Sequence, residues 1–194
     1  MDMPALLASL EASSLATRIR DSLYLFPLIE SAHVMGLTLV FGTTAIVDLR
    51  LLGIASTRRA FSQIAGDIFT WTWSAFALTV ATGLLMFITN AGVYYQNSYF
   101  RAKMAMLVLA GINVLIFERT AARSVRQWDR DPAAPPAGRA VAALSLAIWI
   151  GVIFLGRWIG FTTTQTDLKA DPGINIEDLL APSTGGAGGS SPPH

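Results

Sequence analysis

Cysteine is absent from the 194-residue chain. That absence removes disulfides, thiolate-bound zinc, iron–sulfur clusters and thiol catalysis together. Histidine is nearly absent: only His33 and His194 occur, so a metal site built from the imidazoles of one chain is poor in ligands. Charge is scarce too. Asp, Glu, Lys and Arg make up 14% of the residues, against roughly 25% in soluble domains. The net charge of +1 offers no basic surface for nucleic acid and no acidic tail. The N-terminus has no basic start and Glu11 breaks its apolar stretch, so it lacks the pattern of a cleavable signal. Phosphate-loop, nucleophile-elbow and zinc-protease motifs are missing, and no internal repeat is visible.

What is present is apolar: 53% of the residues are hydrophobic and the mean hydropathy is +0.49. At this length one domain is the default. A membrane-spanning helix needs about 20 mainly apolar residues, and four segments qualify: about Leu23 to Val47, about Phe69 to Thr89, the stretch between Lys103 and Glu118, and about Ala140 to Trp158. Lipid cannot satisfy an open strand edge, and the alternation of an outer-membrane barrel is missing. The expectation is an all-α, four-helix transmembrane bundle. Residues 1–22 read as an interfacial N-terminal segment carrying Leu6, Leu7 and Leu10, 23–160 as the membrane domain, and 161–194 as a polar, largely disordered tail. Residues 56–68 read as a surface helix with Phe61, Ile64 and Ile68 on one face, and residues 131–138 as a turn-rich connector.

Lys and Arg in short loops set orientation. Arg50, Arg58, Arg59, Arg119, Arg123, Arg126, Arg130 and Arg139 fall on one side; Arg18, Arg20, Arg101, Lys103, Arg157 and Lys169 fall on the other. The first group marks the cytoplasmic side, which puts both termini on the non-cytoplasmic side.

Ionisable groups at membrane depth are costly and so direct the search for function. Glu30 and His33 stand three residues apart on one face of the first span. With entry near Tyr24, they lie roughly 9 and 13 Å deep. Only about 14 apolar residues, or roughly 21 Å of helix, separate Lys103 from Glu118, so one or both must sit within the membrane boundary or snorkel to it. Glu30, His33, Lys103 and Arg157 are expected to converge in the outer leaflet. Three readings follow: an interhelical salt bridge from Glu30 to Lys103 or Arg157; a haem or metal site with His33 as ligand and the two cations as anion partners; or a proton or substrate path lined by Glu30 and His33. For haem, the sixth position falls to Met106, Met104, Lys103, Met35 or His33 of a second copy. A di-iron site is rejected, because Glu-x-x-His occurs once. Asn113 is a polar contact within the third span. Asp48 is placed to pair with an arginine such as Arg119 or to anchor the helix at the interface. Gly156–Gly160, and Ala32 with Gly36, are small-residue packing signals.

The first span reads FPLIESAHVMGLTLVFGTTAIVDLRLLG. With ATGLLMF, FRAKMAMLVLAGINVLIFER and GRWIGFT in the later spans, it resembles an uncharacterised family of bacterial four-helix membrane proteins over about residues 20–162. In that family a proline, Glu-x-x-His, a glycine and a terminal Asp-Leu-Arg-Leu-Leu-Gly recur in this order, here Pro27, Glu30, His33, Gly36 or Gly42, and Asp48 to Gly53. More distantly the arrangement is similar to copper-resistance D domains and to the haem-containing four-helix protoporphyrinogen oxidase. Those families imply a first-helix histidine and a third-helix lysine near haem or metal, matching His33 and Lys103. They carry further histidines, where this chain has Asn113 at a plausible third-span position. The resulting expectation is a bacterial inner-membrane protein binding b-type haem or a metal at His33 in a redox role, with Lys103, Arg157 and Glu30 around it. The alternatives are a transport component and a structural accessory subunit. The expected partners are the lipid bilayer and either a second copy or a redox protein.

Overall fold

The computed structural model describes residues 2–170, with side chains through Thr162. Among them the chain is all-helical. Two short helices come first, α1 (Met3–Glu11) and α2 (Ser14–Asp21). Pro4 stands in the first turn of α1, where a missing N–H costs nothing. Ser13 caps α2 by accepting the Ala16 N–H at 3.3 Å. These helices are tied to the far end of the second span: Arg20 donates to the Thr89 carbonyl at 2.9 Å, and the Gly92 N–H donates to the Glu11 carboxylate at 2.8 Å.

Four helices are long and apolar enough to cross a membrane. They are α3 (Leu25–Leu51), α4 (Phe61–Thr89), α6 (Ser98–Arg119) and α8 (Pro136–Ala170), with the short α5 (Ala91–Gln96) and α7 (Val125–Trp128) between them. The 27 residues of α3 make about 40 Å of helix, longer than the roughly 30 Å of hydrocarbon, so its ends lie in the polar boundary. Asn97 caps α6 by accepting the Tyr99 and Phe100 N–H groups at 2.9 and 3.3 Å.

One expectation is revised. The surface helix and the second span are a single helix, because α4 starts at Phe61. Nothing in FSQIAGDIF breaks a helix, and Phe61 and Ile64 are buried. The N-terminus of α4 is capped from a distance. The Asp129 carboxylate accepts the Ser62 N–H at 2.8 Å and the Ser62 hydroxyl at 2.9 Å, while the Asp129 carbonyl accepts the Phe61 N–H at 2.9 Å. The exposed Asp129 carboxyl is accordingly held below the usual carboxylate range, chiefly by the Ser62 N–H.

The end of the bundle where α3 finishes and α4 begins is the best packed. Leu51, Phe61, Ala121, Trp128, Ala134 and Ala142 form a buried cluster there. Arg50 organises it. Its guanidinium is fully buried and donates to four backbone carbonyls: Arg59 at 3.0 Å, Pro132 at 3.3 Å, Asp129 at 3.2 Å and Asp131 at 2.9 Å. It thereby ties the α3–α4 turn to the connector before α8. Gly53, at φ +76°, lets the connector pass closely: a Cβ there would stand 2.7 Å from the Ala133 Cβ. The Arg50 and Asp48 of DLRLLG point inward, so the expected interface anchor is a buried joint.

The described residues up to Ile159 form one compact unit, and a second begins at Gly160. Of the second, the structure describes the end of α8. The polar tail expected from 161 lies outside the described residues beyond 170.

Candidate functional site

His33 stands eight residues into α3, about 12 Å from its start. Its ring turns onto α4. Nδ1 lies 3.0 Å from the Thr79 carbonyl oxygen and 3.1 Å from the Thr82 hydroxyl. A carbonyl only accepts. The Thr82 hydroxyl donates its own proton to the Leu78 carbonyl at 2.7 Å, which leaves it an acceptor toward the imidazole. Nδ1 therefore carries the proton and Nε2 the lone pair. No hydrogen-bond partner meets Nε2 among the described residues. Gly83 makes room for the ring, since a Cβ there would stand 3.0 Å from Cε1 and 3.4 Å from Nδ1. One turn along α3, a Cβ on Gly36 would stand 2.5 Å from the Thr79 hydroxyl. The close α3–α4 crossing thus fixes the imidazole in position and tautomer.

Across from this pair, α6 and α8 run antiparallel. Lys103 Nζ would meet a Cβ on Gly156 at 3.4 Å, Met106 Sδ one on Gly151 at 2.9 Å, and the Asn113 amide donates to the Val141 carbonyl at 3.1 Å. Partner numbers fall on α8 as they rise on α6. Lys103 is half-buried, and its charge reaches His33.

The structure therefore sets His33 and Lys103 on different helix pairs within electrostatic reach, with no hydrogen bond between them among the described residues. Glu30 lies elsewhere: its side chain is on the bundle surface, one turn nearer the start of α3, and no ion pair joins it to Lys103. Arg157 follows Gly156 on α8 and is exposed. Of the methionines, Met35 and Met104 are on the surface and Met106 is half-buried. Asp48 does not pair with Arg119. It is buried and faces Ser145 of α8, because the helix turn that aims Arg50 into the connector aims Asp48 into the bundle. The polar partners Thr79 and Thr82 were not anticipated. Their only trace in the sequence is the small, polar run around Gly83.

Among the described residues no three His, Asp or Glu side chains gather closely enough to chelate a metal ion. What the site offers is one oriented imidazole lone pair with an ammonium nearby.

The four long apolar helices define a multi-pass helical membrane protein. Within that class, a model for the family of unknown function DUF6644 matches residues 21–162, and the chain belongs to this family. No curated protein and no solved structure matches it. The comparisons thus add nothing to the distant similarity to copper-resistance D domains and protoporphyrinogen oxidase.

Proposed function

We propose that this chain is a b-type haem protein of the bacterial inner membrane, in which His33 Nε2 would hold the haem iron, with electron transfer as its role. The carrying observation is the His33 ring, whose Nδ1–H is committed to Thr79 and Thr82 while Nε2 keeps its lone pair. Metal-ligating histidines are oriented in this way. The donor set also separates haem from a bare ion. A chelated transition metal needs several histidine or carboxylate ligands, and no three such side chains gather among the described residues. A macrocycle brings its own four nitrogens and asks the protein for one imidazole.

When bound, haem would supply one-electron chemistry at its iron. The chain's own residues do the rest. Thr79 and Thr82 hold the tautomer, and Gly83 gives the ring its place against α4. Lys103 of α6 offers an ammonium to a propionate, Arg157, next to Gly156 on α8, is a second cation, and Glu30 contributes a negative charge at the bundle surface one turn nearer the start of α3. The site's depth of about 12 Å from the start of α3 suits exchange with a partner at that membrane face. The Lys and Arg distribution supports placing that face, and both termini, outside the cytoplasm. A proton or substrate path through Glu30 and His33 is less well supported, because Glu30 is on the bundle surface while His33 points inward.

The test is an absorption spectrum of the full chain, purified in detergent after expression with haem available, oxidised and dithionite-reduced. A Soret band and a reduced α-band are expected. Both should vanish in His33→Ala and return when imidazole is added to that variant. A folded but colourless wild-type protein overturns the proposal and leaves His33 as a staple between α3 and α4.

A further inference from the structure

Two buried polar atoms in the described structure lack a partner: Asp48 Oδ2 and Asn113 Oδ1. Asp48 is 5% exposed and Asn113 4%. They come from different helices yet meet the same face of a third. The Asn113 amide nitrogen donates to the Val141 carbonyl on α8, and Asp48 faces Ser145, four residues further along α8. In a helix the Val141 carbonyl points toward the Ser145 N–H, so the Asn113 amide lies within one turn of Ser145. The Asn113 bond spends the amide's donor side, which leaves its oxygen as an acceptor.

Such a cluster is costly as it stands. A buried carboxylate needs a compensating positive charge or a proton, and no ion pair reaches Asp48 among the described residues. Arg50, two residues on, is committed to four carbonyls elsewhere. Ser145 can donate one hydrogen to the carboxylate, but this neither neutralises it nor serves Asn113. A proton on Asp48 would meet the carboxylate alone, whereas a cation between the helices would also serve the orphaned Asn113 oxygen.

We propose that Asp48, Asn113 and Ser145 form a binding site for a hard monovalent cation of sodium size, held between α3, α6 and α8. The donors are all oxygen: one carboxylate, one amide carbonyl and one hydroxyl. Oxygen donors select hard cations over transition metals. One carboxylate balances one positive charge, whereas divalent sites gather several carboxylates. The site is separate from His33. The two residues stand fifteen positions apart on α3, or about 22 Å along the helix, so the ion requires no haem. Its bound form joins the first helix pair to the second near the well-packed end.

The experiment uses the full chain in lipid nanodiscs. Radioactive sodium binding is measured by scintillation proximity. The melting temperature is followed as sodium chloride replaces N-methyl-D-glucamine chloride at constant ionic strength, with potassium chloride as the comparison. Saturable sodium binding is expected, with a melting temperature that climbs steadily with the logarithm of sodium concentration above the dissociation constant. Asp48→Asn should keep the fold while abolishing both responses, and Ser145→Ala should weaken them. A wild-type protein that binds no sodium and melts identically in all three salts overturns the proposal and assigns the two oxygens to a protonated Asp48 and buried water. Equal sodium binding by Asp48→Asn overturns it as well. The wild-type binding measurement decides the matter even if the Asp48 variant fails to fold.

Discussion

Replacing Arg50 tests the account of the well-packed end most severely. Two of its bonds, to Asp131 and Arg59, are short at 2.9 and 3.0 Å, and two, to Asp129 and Pro132, are long at 3.2 and 3.3 Å. A hydrogen bond to a charged group contributes about 1.5–3 kcal/mol, so the short pair alone offers about 3–6 kcal/mol. That figure is already net of desolvation, and its lower end applies because methionine still fills the site. The net loss for Arg50→Met, which keeps most of the side-chain volume, is on the order of 3 kcal/mol. In a protein of this length that is a fall of roughly 6–12 °C in melting temperature. Arg50→Lys should lose a similar amount. One ammonium cannot reproduce the planar fork that reaches carbonyls on both sides of the joint. Differential scanning fluorimetry of the detergent-purified variants measures it, and Trp128 in the same cluster reports locally. If Arg50→Met melts within about 1 °C of the wild type, the four carbonyls are satisfied as well by water, and the joint described here does not hold the bundle.

Gly53→Ala places a Cβ 2.7 Å from Ala133 on a backbone with φ +76°. It should cost about 2–3 kcal/mol from strain and overpacking together, read as a lower thermal midpoint; an unchanged midpoint refutes the close passage. Gly83→Val should drive the His33 ring off Thr79 and Thr82. In a haem-loaded protein this appears as a loss of the Soret band at retained helicity by circular dichroism. Asp129 predicts a pH dependence. Its folded carboxyl titrates below its unfolded value, so the stabilisation is complete above the ordinary carboxylate range and fades as pH falls through the lowered value. Asp129→Asn should flatten the acid limb of the melting temperature against pH. A slope identical to that of the wild type shows that the cap on Ser62 contributes nothing.

Hydropathy made the four spans legible, because a bilayer imposes length and apolarity on each helix separately. It did not reveal that α4 begins at Phe61. The segment before Phe69 carries Gln63 and Asp67, and a hydropathy reading stops where polarity starts, although nothing there interrupts the backbone hydrogen bonds. His33 and Lys103 stood out for the cost of their burial. Thr79, Thr82 and Gly83 did not, since their meeting with His33 depends on the register of α3 against α4, which composition does not encode. Glu30 was as conspicuous as His33, yet α3 is longer than the bilayer is thick, and its first turns need not turn a charge inward. Arg50 was the least legible. Its acceptors are backbone carbonyls supplied by Arg59, Asp129, Asp131 and Pro132, and no side-chain pattern announces a carbonyl.

The two ends of the bundle carry different demands. A ligand that contributes a single lone pair is useful only if its position is fixed, and nothing but α4 touches His33 Nδ1. Its precision is therefore that of the α3–α4 pair. That register is set near the ring by the contact of Gly36 with Thr79. At the other end it is set by Arg50 on the α3–α4 turn and by Asp129 on the first turn of α4. Arg50 also bonds the Asp129, Asp131 and Pro132 carbonyls, and Asp129 itself lies in the segment before α8, so the pair holding the histidine is anchored to the pair holding the lysine at the end remote from the site. The well-packed joint at one membrane face is, on this reasoning, what permits a sparsely liganded site near the other.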